Sequence, residues 1–137
     1  MAPRLAHIGI AVHSLDEAVR TYAALLGVEP DDIAYEMSEA EQVRVAFIEL
    51  PNTRIELLEP TGPDSPVARF LESRGEGVHH LCFEACGDLE VERERLETED
   101  FRIVKRVEGE YFFIHPKDAA GCLVEFSPHG FPGSVNR

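Results

Sequence analysis

The stretch Gly75-Glu76-Gly77-Val78-His79-His80-Leu81-Cys82-Phe83-Glu84 decides the fold, because it restarts the plan with which the chain begins. His80-Leu81-Cys82-Phe83-Glu84-Ala85 follows the pattern of His7-Ile8-Gly9-Ile10-Ala11-Val12, a histidine opening a short apolar strand. Internal self-similarity marks a duplicated unit. At nearly equal intervals downstream of the two histidines, a strand carries one carboxylate among apolar residues: Ile55-Glu56-Leu57-Leu58 and Leu123-Val124-Glu125-Phe126. Two halves, each offering one His and one Glu from strands, can build a single N2O2 metal site.

Outward from the histidines, each half reads as βαβββ. After a strand over 6–12, Ser14 with Glu17 three residues on is a capping-box pattern. Leu15, Ala18, Val19, Tyr22, Leu25 and Leu26 keep helical spacing, and Gly27 supplies the stop. Strands follow near 33–37, 43–50 and 53–59, the last two joined by the turn Pro51-Asn52. In the connector, Asp64 or Ser65 can cap a short helix with Pro66 in its first turn, burying Val67, Phe70 and Leu71 and ending at Gly75 and Gly77. The second half starts at Val78, with a highly charged helix near 88–98 anchored by Leu89 and Leu96. Strands are expected near 102–107, 111–115 and 122–127. The predicted class is α+β: paired βαβββ modules forming a cupped, mixed-sheet barrel. One domain is expected over 1–137, with module 1 at about 5–60, a connector helix at about 61–76, module 2 at about 77–128 and a tail over 129–137.

Composition narrows the function. A chain of 137 residues can bury its own core as one domain. A formal net charge of −13 argues against nucleic-acid or anionic-membrane partners, which demand a basic face. Neither a membrane-length apolar run nor a signal-peptide h-region is present, so a cytoplasmic location is expected. Cys82, Cys86 and Cys122 lack the spacing of a zinc ribbon or a disulfide framework. Cys82 and Cys122 read as small buried residues, Cys86 as exposed.

Strand alternation sets the geometry of the site. Arg54, Glu56 and Leu58 share one face, the concave one, while Ile55 and Leu57 face the helix-covered core. Glu125 likewise faces away from Val124 and Phe126. His7, Glu56, His80 and Glu125 then offer two imidazoles and two carboxylates, which suits Co2+, Mn2+, Ni2+, Zn2+ or Fe2+ and leaves coordination positions for substrate oxygens. Such an ion acts as a Lewis acid on a forming enolate while a carboxylate moves the proton. His79 is read as facing the other side from His80, and His13, His115 and His129 as turn or surface residues.

These residues resemble the vicinal oxygen chelate superfamily and, within it, the methylmalonyl-CoA epimerase family, from about Leu5 to Phe126. Carrying the resemblance are His7-Ile8-Gly9-Ile10-Ala11-Val12, Arg54-Ile55-Glu56-Leu57-Leu58-Glu59-Pro60 leading into Asp64-Ser65-Pro66-Val67-Ala68, Gly75-Glu76-Gly77-Val78-His79-His80-Leu81, and His115-Pro116-Lys117-Asp118 before Gly121-Cys122-Leu123-Val124-Glu125. The resemblance implies metal ligands at His7, Glu56, His80 and Glu125, with Glu125 also a catalytic base. It implies interconversion of (2R)- and (2S)-methylmalonyl-CoA by α-proton abstraction through a metal-stabilised enolate, an acyl-CoA thioester as substrate and a homodimer as assembly. Two departures stand out. Val45 occupies the position of a second catalytic Glu in some relatives, and Arg106-Val107-Glu108-Gly109-Glu110 replaces a longer glycine-rich loop. Glu108, Glu110 and Tyr111 lie near enough in sequence to offer a substitute acid or base, but read first as an exposed hairpin rim; Arg44, Arg106 and Lys117 are the candidates for contact with CoA phosphates. The alternatives are a glyoxalase I-like isomerase, an extradiol dioxygenase, which has no ligand role for Glu56, and a metal-free small-molecule-binding protein of the same fold.

Overall fold

The structure is a computed structural model and describes residues 2–130. β1 (Arg4–Ala11) leads to α1 (Leu15–Leu26), and β2 (Ala34–Ser38), β3 (Val43–Glu49) and β4 (Arg54–Pro60) complete the first βαβββ unit. After α2 (Pro66–Arg74), the second unit runs β5 (Gly77–Glu84), α3 (Leu89–Thr98), β6 (Ile103–Val107), β7 (Tyr111–Ile114) and β8 (Val124–Ser127). The helices start where the chain supplies caps. The Ser14 hydroxyl accepts from the Glu17 amide, Ser65 from Val67, and Asp88 from Glu90 and Val91. Gly27 closes α1 in the left-handed region at φ 69°.

All eight strands form one mixed sheet in the order β2-β3-β4-β1-β5-β8-β7-β6. Its symmetry is visible in the pairing. β1 pairs parallel with β4, β5 pairs parallel with β8, and the two halves meet along the antiparallel pair β1/β5. The sheet is not closed by hydrogen bonds, so the cup is an open one, with β2 and β6 as its edges. It curls enough that Lys105 on β6 reaches Glu41 in the β2–β3 turn, Nζ to Oε1 2.5 Å.

Leu15, Val19 and Ala23 of α1 pack on Ala46, Ile48 and Leu57, and Leu89 and Leu96 of α3 pack on Phe112, Ile114 and Phe126. Both helices cover the convex face. α2 instead lays Val67 and Leu71 against Ala11, Val43, Val45 and Leu58, and so fills one end of the concave face. Phe70 is only half buried. The charged α3 holds through local ion pairs as well as its two apolar anchors: Arg93 bridges Glu90 and Glu97, and Arg95 pairs with Glu92.

Two expectations change. Cys122 is exposed and precedes β8, which begins only at Val124, because the chain turns through Ala120 and Gly121, both at positive φ. His79 does not face away from His80. Gly9 pairs with His80 while Ile10 pairs with Val78, which leaves His79 as the extra residue of a bulge. A bulge breaks the alternation that would have turned His79 outward.

Ser65 is fully buried beneath α2, the helix that shapes one wall of the cup. Replacing Ser65 by Ala is expected to cost about 1–2 kcal/mol of stability, measured as a lowered urea midpoint with unchanged slope.

Candidate metal centre

The cross-strand register builds the site as two rows on the concave face. In one row Glu56 on β4, Gly9 on β1 and His80 on β5 lie side by side; in the next, His7 on β1, Cys82 on β5 and Glu125 on β8 do so. Each row therefore places a ligand type on either side of a small residue. Neighbouring strands stand about 4.8 Å apart, so side chains reaching inward over Gly9 and Cys82 meet above the seam. The imidazole of His80 occupies the space a side chain at position 9 would need: a Cβ there would lie 2.3 Å from its Cε1 and 2.6 Å from its Nδ1.

His7, Glu56 and Glu125 are all 0% exposed and His80 is 7% exposed. The Nε2 atoms of His7 and His80 face each other at 2.9 Å, and Glu125 Oε1 lies 3.5 Å from the first and 3.4 Å from the second. His7 Nδ1 is 3.2 Å from Glu56 Oε2. His7, Glu56 and His80 form one set of donors within 4.8 Å of one another, and His7, Cys82 and Glu125 form another. Glu125 thus joins the first set through the two imidazoles. All four sequence-predicted ligands are brought together, and Cys82, read only as a small buried residue, lies among them.

The surroundings prepare these groups for a cation. Arg54 donates from Nη2 to Glu56 Oε2 at 2.6 Å while its guanidinium lies 4.5 Å from the centre of the Phe47 ring, leaving Glu56 Oε1 buried without a hydrogen-bond partner among the described residues. Burying two carboxylates is costly unless positive charge is shared with them. Two imidazoles and two carboxylates gathered in one buried place are a donor set that fits a metal of the kind that takes mixed N and O donors. Burial pushes the His7 pKa down, only partly opposed by Glu125 and Glu56, so the ring stays neutral and able to ligate. His79 contacts His80, Nδ1 to Nδ1 at 3.0 Å, and supports the face of the ring away from His7. Burial first, then the neighbouring His80, lower its pKa to about 3.

A cavity of about 240 Å3 opens above the cluster. Glu56, His80 and Glu125 form its polar floor, with Val43, Leu58, Val67 and Leu123 among its apolar walls and Glu41, Lys105 and Tyr111 at its rim. A second hollow of about 330 Å3, carrying Arg69 and Arg74, shares His79, His80, Pro66 and Leu123 with the first.

The expected phosphate contacts fare differently. Arg44 points to the helix-covered face and pairs with Glu59, Nη1 to Oε1 3.0 Å, because even-numbered positions of β3 face α1. Arg106 pairs with Glu90 at the start of α3. Neither lines either of these two hollows. Lys117 sits in the short turn Pro116–Asp118, next to Pro116 of the second hollow. Glu108 and Glu110 are exposed, whereas Tyr111 is buried and lines the cavity, since it begins β7 instead of ending the turn. Sequence reasoning missed Lys105, Arg69 and Arg74; only the curl of the sheet and the placement of α2 bring them to the hollows.

The model of the Glyoxalase/Bleomycin resistance protein/Dioxygenase superfamily matches residues 6–119. The chain belongs to this superfamily. Relatives within the superfamily include the ethylmalonyl-CoA/methylmalonyl-CoA epimerase of Cereibacter sphaeroides, 41% identical over 91% of this chain and 97% of that protein. The mitochondrial methylmalonyl-CoA epimerase of Homo sapiens is 39% identical, over 89% of this chain and 72% of its own length. A solved methylmalonyl-CoA epimerase in complex with methylmalonyl-CoA and NH4+ shares the fold at a TM-score of 0.83 and 32% identity, covering 98% of this chain and 99% of that one.

Gly9→Ala tests whether room for the His80 ring holds the centre together. The added methyl is expected to destabilise the protein by about 1–3 kcal/mol, as overpacking does, and to weaken Co2+ binding at least tenfold, read by isothermal titration alongside thermal unfolding.

Proposed function

We propose that this protein is a metal-dependent epimerase that interconverts (2R)- and (2S)-methylmalonyl-CoA. The observation that carries the proposal is the buried set His7, Glu56, His80 and Glu125, of which the last three form the floor of a cavity with largely apolar walls, in a chain that matches methylmalonyl-CoA epimerases over nearly its whole length. A divalent ion held there would act as a Lewis acid toward the carboxylate and thioester oxygens of the substrate, lowering the cost of removing the α-proton. Co2+ heads the proposed ions, with Mn2+, Ni2+, Zn2+ and Fe2+ also suited to the donors.

The chain's own residues do the rest. Glu125, fully buried beside both imidazoles, takes or returns the α-proton. Val43, Leu58, Val67 and Leu123 exclude water and receive the α-alkyl group. Arg54 fixes the Glu56 carboxylate beside His7 through Oε2. The thioester chain leaves past His79 into the second hollow, where Arg69 and Arg74, with Lys117 nearby, meet the phosphates of CoA. This route replaces the contacts expected of Arg44 and Arg106.

A homodimer and a cytoplasmic location complete the proposal. The first is supported by Tyr35 and Met37, exposed together on the edge strand β2. The second is consistent with the finding that no helix among the described residues is long and apolar enough to cross a membrane. The metal-free binding protein is disfavoured by the gathering of two carboxylates and two imidazoles in one buried place, a donor set that suits a divalent ion.

Deuterium incorporation at the α-carbon of methylmalonyl-CoA in heavy water tests the assignment. Exchange is expected with added Co2+ and is expected to be lost in metal-depleted protein and in His80→Ala, which should also abolish tight Co2+ binding while leaving the fold. Stoichiometric Co2+ binding without exchange would move the function to another substrate of the same superfamily.

A further inference from the structure

Inverting a carbon centre requires proton transfer at both of its faces, so the epimerase reading, on which this inference rests, leaves one partner unassigned. Glu125 enters the cavity from β8 in the second half of the sheet. A group on the opposite wall comes from the first half, but the concave-face positions of β3 are Val43, Val45 and Phe47, of which Val43 lines the cavity and none carries a transferable proton. Val45 is fully buried against Val43, Leu58 and α2.

Among the described residues that line the cavity, one carboxylate stands outside the His7, Glu56, His80 and Glu125 set, and it is Glu41. Glu41 lies two residues before Val43, in the turn that brings β2 into β3. Its backbone is pinned: the Glu41 amide donates to the Ser38 hydroxyl at 3.1 Å, and the carbonyl of the next residue, Gln42, accepts from Thr61 at 2.8 Å. Its side chain reaches over the mouth of the cup, where Lys105 Nζ lies 2.5 Å and the Tyr111 hydroxyl 3.5 Å from Oε1. β3 and β8 are separated in the sheet by β4, β1 and β5, so in the curled sheet Glu41 and Glu125 approach the cavity from opposite halves.

We propose that Glu41 is the second acid–base group of the epimerisation, aimed into the cavity by Lys105 and Tyr111. In one direction Glu125 takes the α-proton: the C–H bond breaks and its electron pair passes into the thioester carbonyl. The protonated Glu41 then delivers a proton to the other face of the same carbon, and the electron pair returns to form the new C–H bond. In the reverse direction the two carboxyl groups exchange roles, and proton exchange with solvent resets both. Lys105 acts as a positioning residue, since its ammonium holds the Glu41 carboxylate at the rim of the cavity.

The test uses the Co2+-loaded full chain with (2R)- and (2S)-methylmalonyl-CoA supplied separately in heavy water. Glu41→Gln is expected to lower epimerisation at least about 100-fold, the scale of a lost acid–base group. The α-proton of one epimer, the one served by Glu125, should still exchange within about threefold of the unaltered protein, with Co2+ affinity and thermal stability unchanged. Lys105→Met breaks the same ion pair across the cup but keeps the carboxylate, and should lower epimerisation less than tenfold. Epimerisation by Glu41→Gln within about threefold of the unaltered protein would overturn the proposal. So would equal loss of exchange from both epimers, or a Lys105→Met loss as large as that of Glu41→Gln, which would make the pair a structural latch. Failure of the unaltered, Co2+-loaded protein to exchange either epimer would instead overturn the epimerase reading itself.

Discussion

The structure depends on burying two carboxylates and two imidazoles at the seam between its halves. His7, Glu56, His80 and Glu125 come from four adjacent strands, and all are removed from water. Such burial is tolerable only if the groups face one another and share positive charge. Arg54 supplies part of that charge beside Glu56. The remainder suits a divalent cation at the seam where the two halves pair, along the antiparallel strands β1/β5.

Convergence over that seam needs space as well as charge. The small residues Gly9 and Cys82 occupy equivalent places in the two halves, two positions after each histidine, and each lies between two of the four large polar side chains. The register also shifts just before each histidine: Ala6 is the extra residue ahead of His7 and His79 the extra one ahead of His80. Bulges re-aim the side chains next to them and sharpen the local twist. The duplicated sequence therefore carries duplicated irregularities, and they help to direct both rings inward. The halves differ where substrate would lie, because α2 buries Val67 and Leu71 on the first half's concave face and leaves the cavity open toward β6 and β7.

Much of this was legible along the chain. Ser14, Ser65 and Gly27 mark helix ends by local hydrogen bonding and backbone preference, which act within a few residues and need no tertiary partner. The alternation around Glu56 placed its carboxylate and Leu57 on opposite faces, as found. The same rule failed at His79, where a bulge intervenes, and misplaced Cys122, where a turn delays the strand. Arg44 has the charge for a phosphate contact, but on its strand the even positions belong to the helix-covered face.

The sequence by itself determined the two βαβββ units, their helices and the pairing of one histidine with one carboxylate in each, because these follow from local periodicity and repetition. Tertiary structure alone decided which residues share the cavity. Glu41 and Lys105 are 64 residues apart and meet only because an eight-stranded sheet curls until its distant strands face each other. Likewise Arg54 becomes the partner of a buried carboxylate, and Gly9 the seat of an imidazole, through cross-strand register. Register and curvature are set by the summed packing of both halves, so no local stretch of residues encodes them.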